Sequence, residues 1–419
     1  MNTTYRRGSC PGLSAPMLTG DGLLVRLMPE ERIALDSFVA FCTAARQYGN
    51  GTVEITARGS LQVRGLTPRS APLFSSAVAT LDIAAVEGVP VIADPLADAP
   101  GTLVDTAGLA ASVRRAIADA GLVLAPKVSV IIDGGGSLHL DALAADVRLR
   151  AIGSAQAPHL HVALGGDAGS ATPLGSIAPD SAADLVVRLL GVIAAQGREA
   201  RAIDVLRNAG MAPFRPVVEG CIDAAPSLPP RPPAQAIGRH PLRDGSIALG
   251  VALAFGHAHA DALAQLVRLA AVHGVWSVRP APGRALLLIG VAETGATALA
   301  TAAERLGFVT CADDPRLRIA ACPGKPSCAS GLIAARALAA EIARHLPPRR
   351  DAVAMHISGC AKGCAHPAPA ALTVVGTERG CGIVHHGSAR AIPRYHVDPA
   401  DLVAEVSRIA IETSEAVHG

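Results

Sequence analysis

Cys322 and Cys328 stand six positions apart in "ACPGKPSCASG", and Cys360 and Cys364 four apart in "HISGCAKGCAHP". Four thiols in C-x5-C and C-x3-C pairs, set among Pro, Gly and small residues, read as a ligand set. Three uses compete: zinc, an iron–sulfur cluster, or unliganded core thiols. Structural zinc favours short C-x2-4-C knuckles, for which five intervening residues are many. A cubane cluster fills more volume and tolerates wider loops. Its sulfides also take backbone N–H bonds, which Gly-rich loops supply. The spacing favours the cluster and leaves zinc and coincidence open.

Other residues could act on a small molecule. Arg58 and Arg64 lie six apart in "ITARGSLQVRGL", as cavity residues or as a solvated strand edge. A guanidinium presents paired donors to the paired oxygens of a carboxylate. Lys127, in "PKVS", is an ordinary strand-start lysine or an anion contact. His159 and His161 share one face of a strand, whereas the adjacent His385 and His386 point to opposite faces. Either pair is a set of metal ligands or of hydrogen-bonded surface side chains. His366, two residues after Cys364, is a donor toward the cysteine set or a structural group. Cys10, Cys42, Cys221, Cys311 and Cys381 share no spacing and read as small buried side chains. "DGGGS" at 133–137 lacks the G-x-G-x-x-G order and a helical sequel, so no nicotinamide site is expected.

The elements that must hold these residues come twice. After Gly22 the chain reads strand, helix over 31–48, strand, strand. After Gly245, 223 positions on, it reads strand, helix over 259–273 and two strands around Pro280–Gly283. "VIADPLADAP" then stands where "IAACPGKPSC" stands in the second copy, with Asp94-Pro95 opposite Cys322-Pro323. The first copy keeps the turn without the thiols. Between the copies "CIDAAPSLPPRPPAQAIGRHP" carries six prolines and reads as an extended linker.

Composition narrows the function. A chain of 419 residues exceeds one core and predicts several domains. With 37 basic against 35 acidic side chains, one Trp and three Tyr, it offers neither the charge nor the stacking surface for nucleic acid. No apolar run reaches the roughly 18 residues of a spanning helix, and the N-terminus lacks the apolar core of a secretory signal. A cytoplasmic protein with no membrane partner is expected. Nine cysteines, an odd number, then argue against a disulfide framework.

"CPGKPSC" followed by "HISGCAKGCAHP" resembles the paired motif of the sulfite and nitrite reductase hemoprotein family, C-x5-C, then G-C-x3-C and a proline. The resemblance covers nearly the whole chain. It implies an α+β and α/β, internally duplicated fold. The parts would be a first ferredoxin-like half over 1–100, a first α/β lobe over 101–221, a linker over 222–241, a second ferredoxin-like half over 242–311 and a cluster-carrying α/β lobe over 312–419. It also implies a 4Fe-4S cluster on Cys322, Cys328, Cys360 and Cys364, and tetrapyrrole carboxylates on Arg58 and Arg64.

One departure matters. Where sulfite reductases hold the anion with two lysines, "PKVS" keeps Lys127 and offers Ser129, and an arginine before the "DPL" turn is replaced by the apolar run 89–92. Sulfite reduction needs dense positive charge over its substrate. The stretch "CPGLSAPMLTGDGLLVRL" is instead similar to the opening of the family's aerobic cobalamin-pathway branch. That branch implies O2-dependent hydroxylation of precorrin-3A with lactone formation, with Lys127 as a substrate and catalytic contact. Electrons would come from a ferredoxin or NADH-linked reductase, and a mononuclear non-haem iron would join the cluster. The alternatives are a siroheme-dependent nitrite or sulfite reductase, and a non-catalytic iron–sulfur or zinc protein.

Overall fold

A computed structural model describes residues 11–86, 88–224, 227–348 and 355–409. The repeat read from the sequence is present in full. Strands Met17–Thr19, Gly22–Leu27, Thr52–Ile55 and Leu61–Leu66 form the first antiparallel sheet, and Gly238–Pro241, Ile247–Ala252, Ser277–Ala281 and Ala285–Val291 the second. The last four residues of the proline-rich span are therefore an edge strand rather than linker.

Each half lends the other a strand. Ile33–Ala34 pairs with Ser277 and Val278 of the second sheet, while His257–His259 pairs with Thr52–Glu54 of the first. Neither half completes its sheet alone.

Alternation sets the two faces of each sheet. Leu23, Val25, Leu27, Val53, Ile55, Leu61 and Val63 turn inward, and so do Ile247, Leu249, Val251, Val278, Leu286 and Leu288. All join one core with four helices, Leu35–Tyr48, Ser70–Ala79, Ala260–Val272 and Ala296–Arg305. In the first of these helices Phe38, Phe41, Cys42 and Ala45 are buried, spaced as one face of a 3.6-residue turn. Its counterpart helix starts 225 positions later, at Ala260.

Each sheet leads into an α/β lobe. In the first lobe Val91–Ala93, Val130–Asp133 and Ala145–Ser154 run parallel, and Ala157–Gly166 and Thr172–Ile177 complete the sheet antiparallel. In the second, Ile319–Ala321, Met355–Ser358 and Ala370–Thr377 run parallel, followed by antiparallel Gly380–Gly387 and Tyr395–Val397. Parallel neighbours need a crossover, and helices Thr106–Ala120 and Ala335–Ala343 provide the first one of each lobe. Loops at the carboxyl ends of such strands are where α/β sheets hold ligands.

Candidate functional site

All four motif cysteines sit at those carboxyl ends. Cys322 follows Ile319–Ala321 directly, and Cys360 comes two residues after Met355–Ser358. Gly331 N–H closes the first loop on Cys328 O at 2.8 Å, and Leu332 N–H joins it to the second at Gly359 O, 2.7 Å away. Lys362 Nζ reaches Ser330 Oγ at 3.0 Å. Gly359 N–H donates to Cys322 Sγ at 3.0 Å, the contact a metal-bound sulfur uses.

Close approach explains the glycines. A Cβ on Gly359 would stand 2.9 Å from Gly324 Cα and 3.4 Å from Cys322 Sγ. A Cβ on Gly20 would run into the backbone of Cys328 and Ala329, so the N-terminal strand pair is seated on the cysteine loop.

The sulfurs face one another. Burial raises the Cys364 thiol above its usual range, and Cys322, Cys360 and Cys328 raise it further against Lys362. A metal reverses this by removing the protons. Among the described residues, the donor set drawn within 4.8 Å is Asp133, His139 and Asp141. Four thiols on two Gly-rich loops, one of them receiving a backbone N–H, are a donor set that fits a metal–sulfur group.

The outward face of the first sheet covers this loop pair with a polar network. Arg64 donates to Asp21 through Nε at 3.1 Å and Nη2 at 2.8 Å, and to Ser327 O at 3.1 Å. Arg336, on the helix of the cysteine lobe, pairs with Glu54. Glu54 accepts from Gln62 Nε2 at 2.8 Å, and Gln62 Oε1 from Arg26 Nη2 at 2.8 Å. Arg64 thus has its fork filled by protein groups. Its visible work is to fasten the Cys328 loop to the sheet.

Arg58 lies at the hairpin tip, half-buried, with Nη1 on Ser129 Oγ at 3.2 Å and Nη2 on Ala144 O at 2.6 Å. Burial lowers its pKa, as does Arg201. Lys127 is exposed on a turn two residues before Ser129. The serine in the lysine position therefore receives Arg58, and the structure brings Arg58 and the Lys127 turn together while leaving Arg64 elsewhere on the sheet.

The remaining candidates separate. His159 is exposed and His161 half-buried on one strand face; His385 and His386 are not buried. His366 sits edge-on to His356, with ring centroids 5.9 Å apart. Cys42 and Cys381 are buried as expected, but Cys221 and Cys311 are exposed. Cys221 Sγ lies 3.4 Å from Arg188 Nη1 on a turn, where no core residue covers it. Cys10 lies outside the described residues.

Sequence reasoning missed Arg336, Glu54 and the Asp133 group. Glu54 had a signal, as an acid on the polar face of an alternating strand. Arg336 had none, being one basic residue on an alanine-rich helix. Asp133 and Asp141 are crossed by Arg231, whose Nε donates to Asp141 Oδ2 at 2.8 Å. A guanidinium already occupies that set, so it does not fit a resident mononuclear iron. Among the described residues, no helix is long and apolar enough to cross a membrane.

Residues 15–79 match the family model of the nitrite/sulfite reductase ferredoxin-like half domain. The fold is similar to the "Structure of Mycobacterium tuberculosis NirA protein", with a TM-score of 0.73 at 18% identity, over 92% of this chain and 80% of that one. Together with the doubled sheets, this places the architecture among the nitrite/sulfite-reductase-like proteins. At higher identity the chain is similar to "Precorrin-3B synthase" of Sinorhizobium sp, 36% identical over 413 residues, 97% of this chain and 88% of that protein. It belongs to the precorrin-3B synthase family.

Proposed function

We propose that the chain is an oxidoreductase that converts precorrin-3A to precorrin-3B in aerobic cobalamin biosynthesis. One atom of O2 enters a ring carbon as hydroxyl and the other leaves as water, using two electrons and two protons. A lactone then closes from a neighbouring acetate. The likeness to the Sinorhizobium protein over nearly the whole chain carries this reading.

Cys322, Cys328, Cys360 and Cys364 hold a 4Fe-4S cluster, supported by the meeting of their two loops and by the Gly359 N–H on Cys322 Sγ. The cluster's chemistry is the one-electron supply that O2 activation needs. The chain's residues do the rest. Arg64 and Asp21 fix the Cys328 loop, and Arg336 with Glu54 fixes the lobe against the sheet. Arg58 and Lys127 meet substrate carboxylates at the hairpin tip. A separate ferredoxin or NADH-linked reductase supplies electrons to this cytoplasmic enzyme.

The test is an anaerobic optical and EPR spectrum before and after dithionite, with iron and sulfide assays, followed by precorrin-3A turnover under 18O2. A reducible cluster signal without siroheme bands and one labelled oxygen in the product are expected. Siroheme bands with sulfite or nitrite reduction would replace the oxygenase by the reductase.

A further inference from the structure

The polar network over the cysteine loops contains one charge that is aimed at them. Arg64 stands between Asp21 and the Cys328 loop. Asp21 accepts from Nε at 3.1 Å and from Nη2 at 2.8 Å, and Nη2 reaches on to Ser327 O, one residue before Cys328, at 3.1 Å. Both side chains are withdrawn from water, Arg64 7% exposed and Asp21 13%. Burial works against the Arg64 charge, while Glu54, then Asp21, then Cys328 hold it on. The guanidinium is thus electrostatically coupled to the Cys328 sulfur, and away from water such coupling is screened less.

The neighbouring charges largely cancel. Glu54, 3.9 Å from Arg64 Nη1, is paired with Arg336. In the second sheet the position of Arg64 is held by Ile289, two on from Leu287, fully buried against a lobe that has no cysteine loop. The duplication keeps a cation at this position only where thiols lie opposite.

We propose that Arg64, with Asp21 as its counter-charge, sets the reduction potential of the cluster held by Cys322, Cys328, Cys360 and Cys364. The proposal rests on the cluster reading above and gives the ion pair a role beyond fastening the loop. Reduction adds a negative charge to a group that its thiolates already make anionic. A guanidinium beside Cys328 favours the reduced state, and the Asp21 carboxylate behind it opposes that state. Net charge and hydrogen bonding around the sulfurs are what move such potentials. The first sheet, and not the cysteine loops alone, then decides how readily the cluster accepts an electron.

The test is an EPR-monitored redox titration of the full chain carrying its cluster, with iron and labile sulfide measured in every sample. Arg64→Gln is expected to make reduction about tenfold less favourable, a midpoint about 59 mV lower. Asp21→Asn keeps the shape of the acid without its charge and is expected to move the midpoint the other way. The double variant, with both charges gone, should return toward the unmodified value. Arg64→Lys should stay closer to that value than Arg64→Gln does, and the exposed Arg268→Gln, on a helix of the inward face, should not move it. A loop that merely loosens would shift both single variants in one direction and the double variant further. That result, or midpoints that do not move, overturns the role of the pair and leaves the cluster reading standing. If Arg64→Gln loses its iron, the direction of the Asp21→Asn shift decides alone. An unmodified chain that takes up neither iron nor sulfide overturns the cluster reading, and this inference with it.

Discussion

Across the first sheet, paired positions on the outward face read Arg26, Gln62, Glu54; across the second, the same positions read Gly250, Leu287, Arg279. Duplication made the faces equivalent and their coverings differ. The first lies against the cysteine loops with a network of ion pairs and amide bonds. The second, with Ala248, Ala281, Ala285, Leu287 and Ile289, packs on Leu96, Ala99 and Leu138 of the first lobe. The lobes diverge in parallel. Where the second has Cys322, the first has Asp94, which burial and then Asp133 push well above the usual carboxylate range. One copy keeps a polar surface against the cysteine loops, and the other has turned the same backbone into core and ion pairs.

The sharpest break of this comparison is to exchange the chemistry at equivalent positions. Cys322→Ser is expected to abolish bound iron, labile sulfide and the broad visible absorption. Asp94→Ser, at the matching position, is expected to leave all three unchanged. A cluster that survives loss of Cys322 would remove the asymmetry between the lobes.

Next comes the ion-pair set of the first lobe. Arg231, from the proline-rich span, neutralises Asp133 and Asp141, and Asp133 is 1% exposed. Arg231→Ala leaves buried carboxylates without their cation and is expected to cost about 3 kcal/mol in urea unfolding. Asp133→Asn in the same chain is expected to recover part of it. A smaller loss would mean that Arg148, also near Asp141, suffices.

The apolar face is tested by making it resemble the polar one. Leu287→Gln puts into the second sheet the residue that Gln62 is in the first, but between Gly250 and an Arg279 whose Nη1 already donates to Glu30 O. A buried amide short of partners costs about 2 kcal/mol, read as a lowered urea midpoint. No loss would mean that water reaches this face.

A fourth contrast is acid sensitivity. His356 occupies the strand position that Ile131 holds in the first lobe, with neither ring nitrogen bonded. Burial, then His366 and Arg284, lower its pKa from 6.5 to about 4. The unfolded chain therefore binds this proton more readily than the folded one. Its share of stability is intact above pH 6.5 and is lost at about 1.4 kcal/mol per unit as pH falls toward 4. His356→Ile is expected to flatten that part of the stability profile.

The repeat, the helix read over 31–48 and found over 35–48 because Ile33–Ala34 is a strand, and the pairing of the two cysteine loops were legible because each leaves a local mark: period, alternation, or Pro and Gly around thiols. The exchange of Ile33–Ala34 and His257–His259 between sheets leaves none, since a borrowed strand reads like a native one. Arg64 shows the limit at the site. Its motif placed it near the cofactor region, but Asp21, 43 positions away, and Ser327, 263 away, decide what its guanidinium does. Arg231 reads as linker because its partners come from the other end of the lobe. Charges closed by distant residues are tertiary facts, and spacing cannot carry them.

The smallest contrast lies at the two crossover helices. Asp105 caps Thr106–Ala120, its side chain accepting from Ala107 N–H and Gly108 N–H, and Gly121 at φ 58° ends the helix left-handed. The matching helix of the cysteine lobe begins at Ala334, which has no side-chain cap. If capping carries local stability, Asp105→Ala should cost about 1 kcal/mol and speed amide exchange in the first turn of Thr106–Ala120 toward the rate at Ala335–Ala343. The second helix begins uncapped because Ile333 and Ala334 belong to the loop that holds Lys325 N–H and packs Gly324. Equal exchange at both helices in the unmodified chain would show that this loop satisfies the amides as well as an aspartate does. The cysteine cradle would then cost its helix nothing.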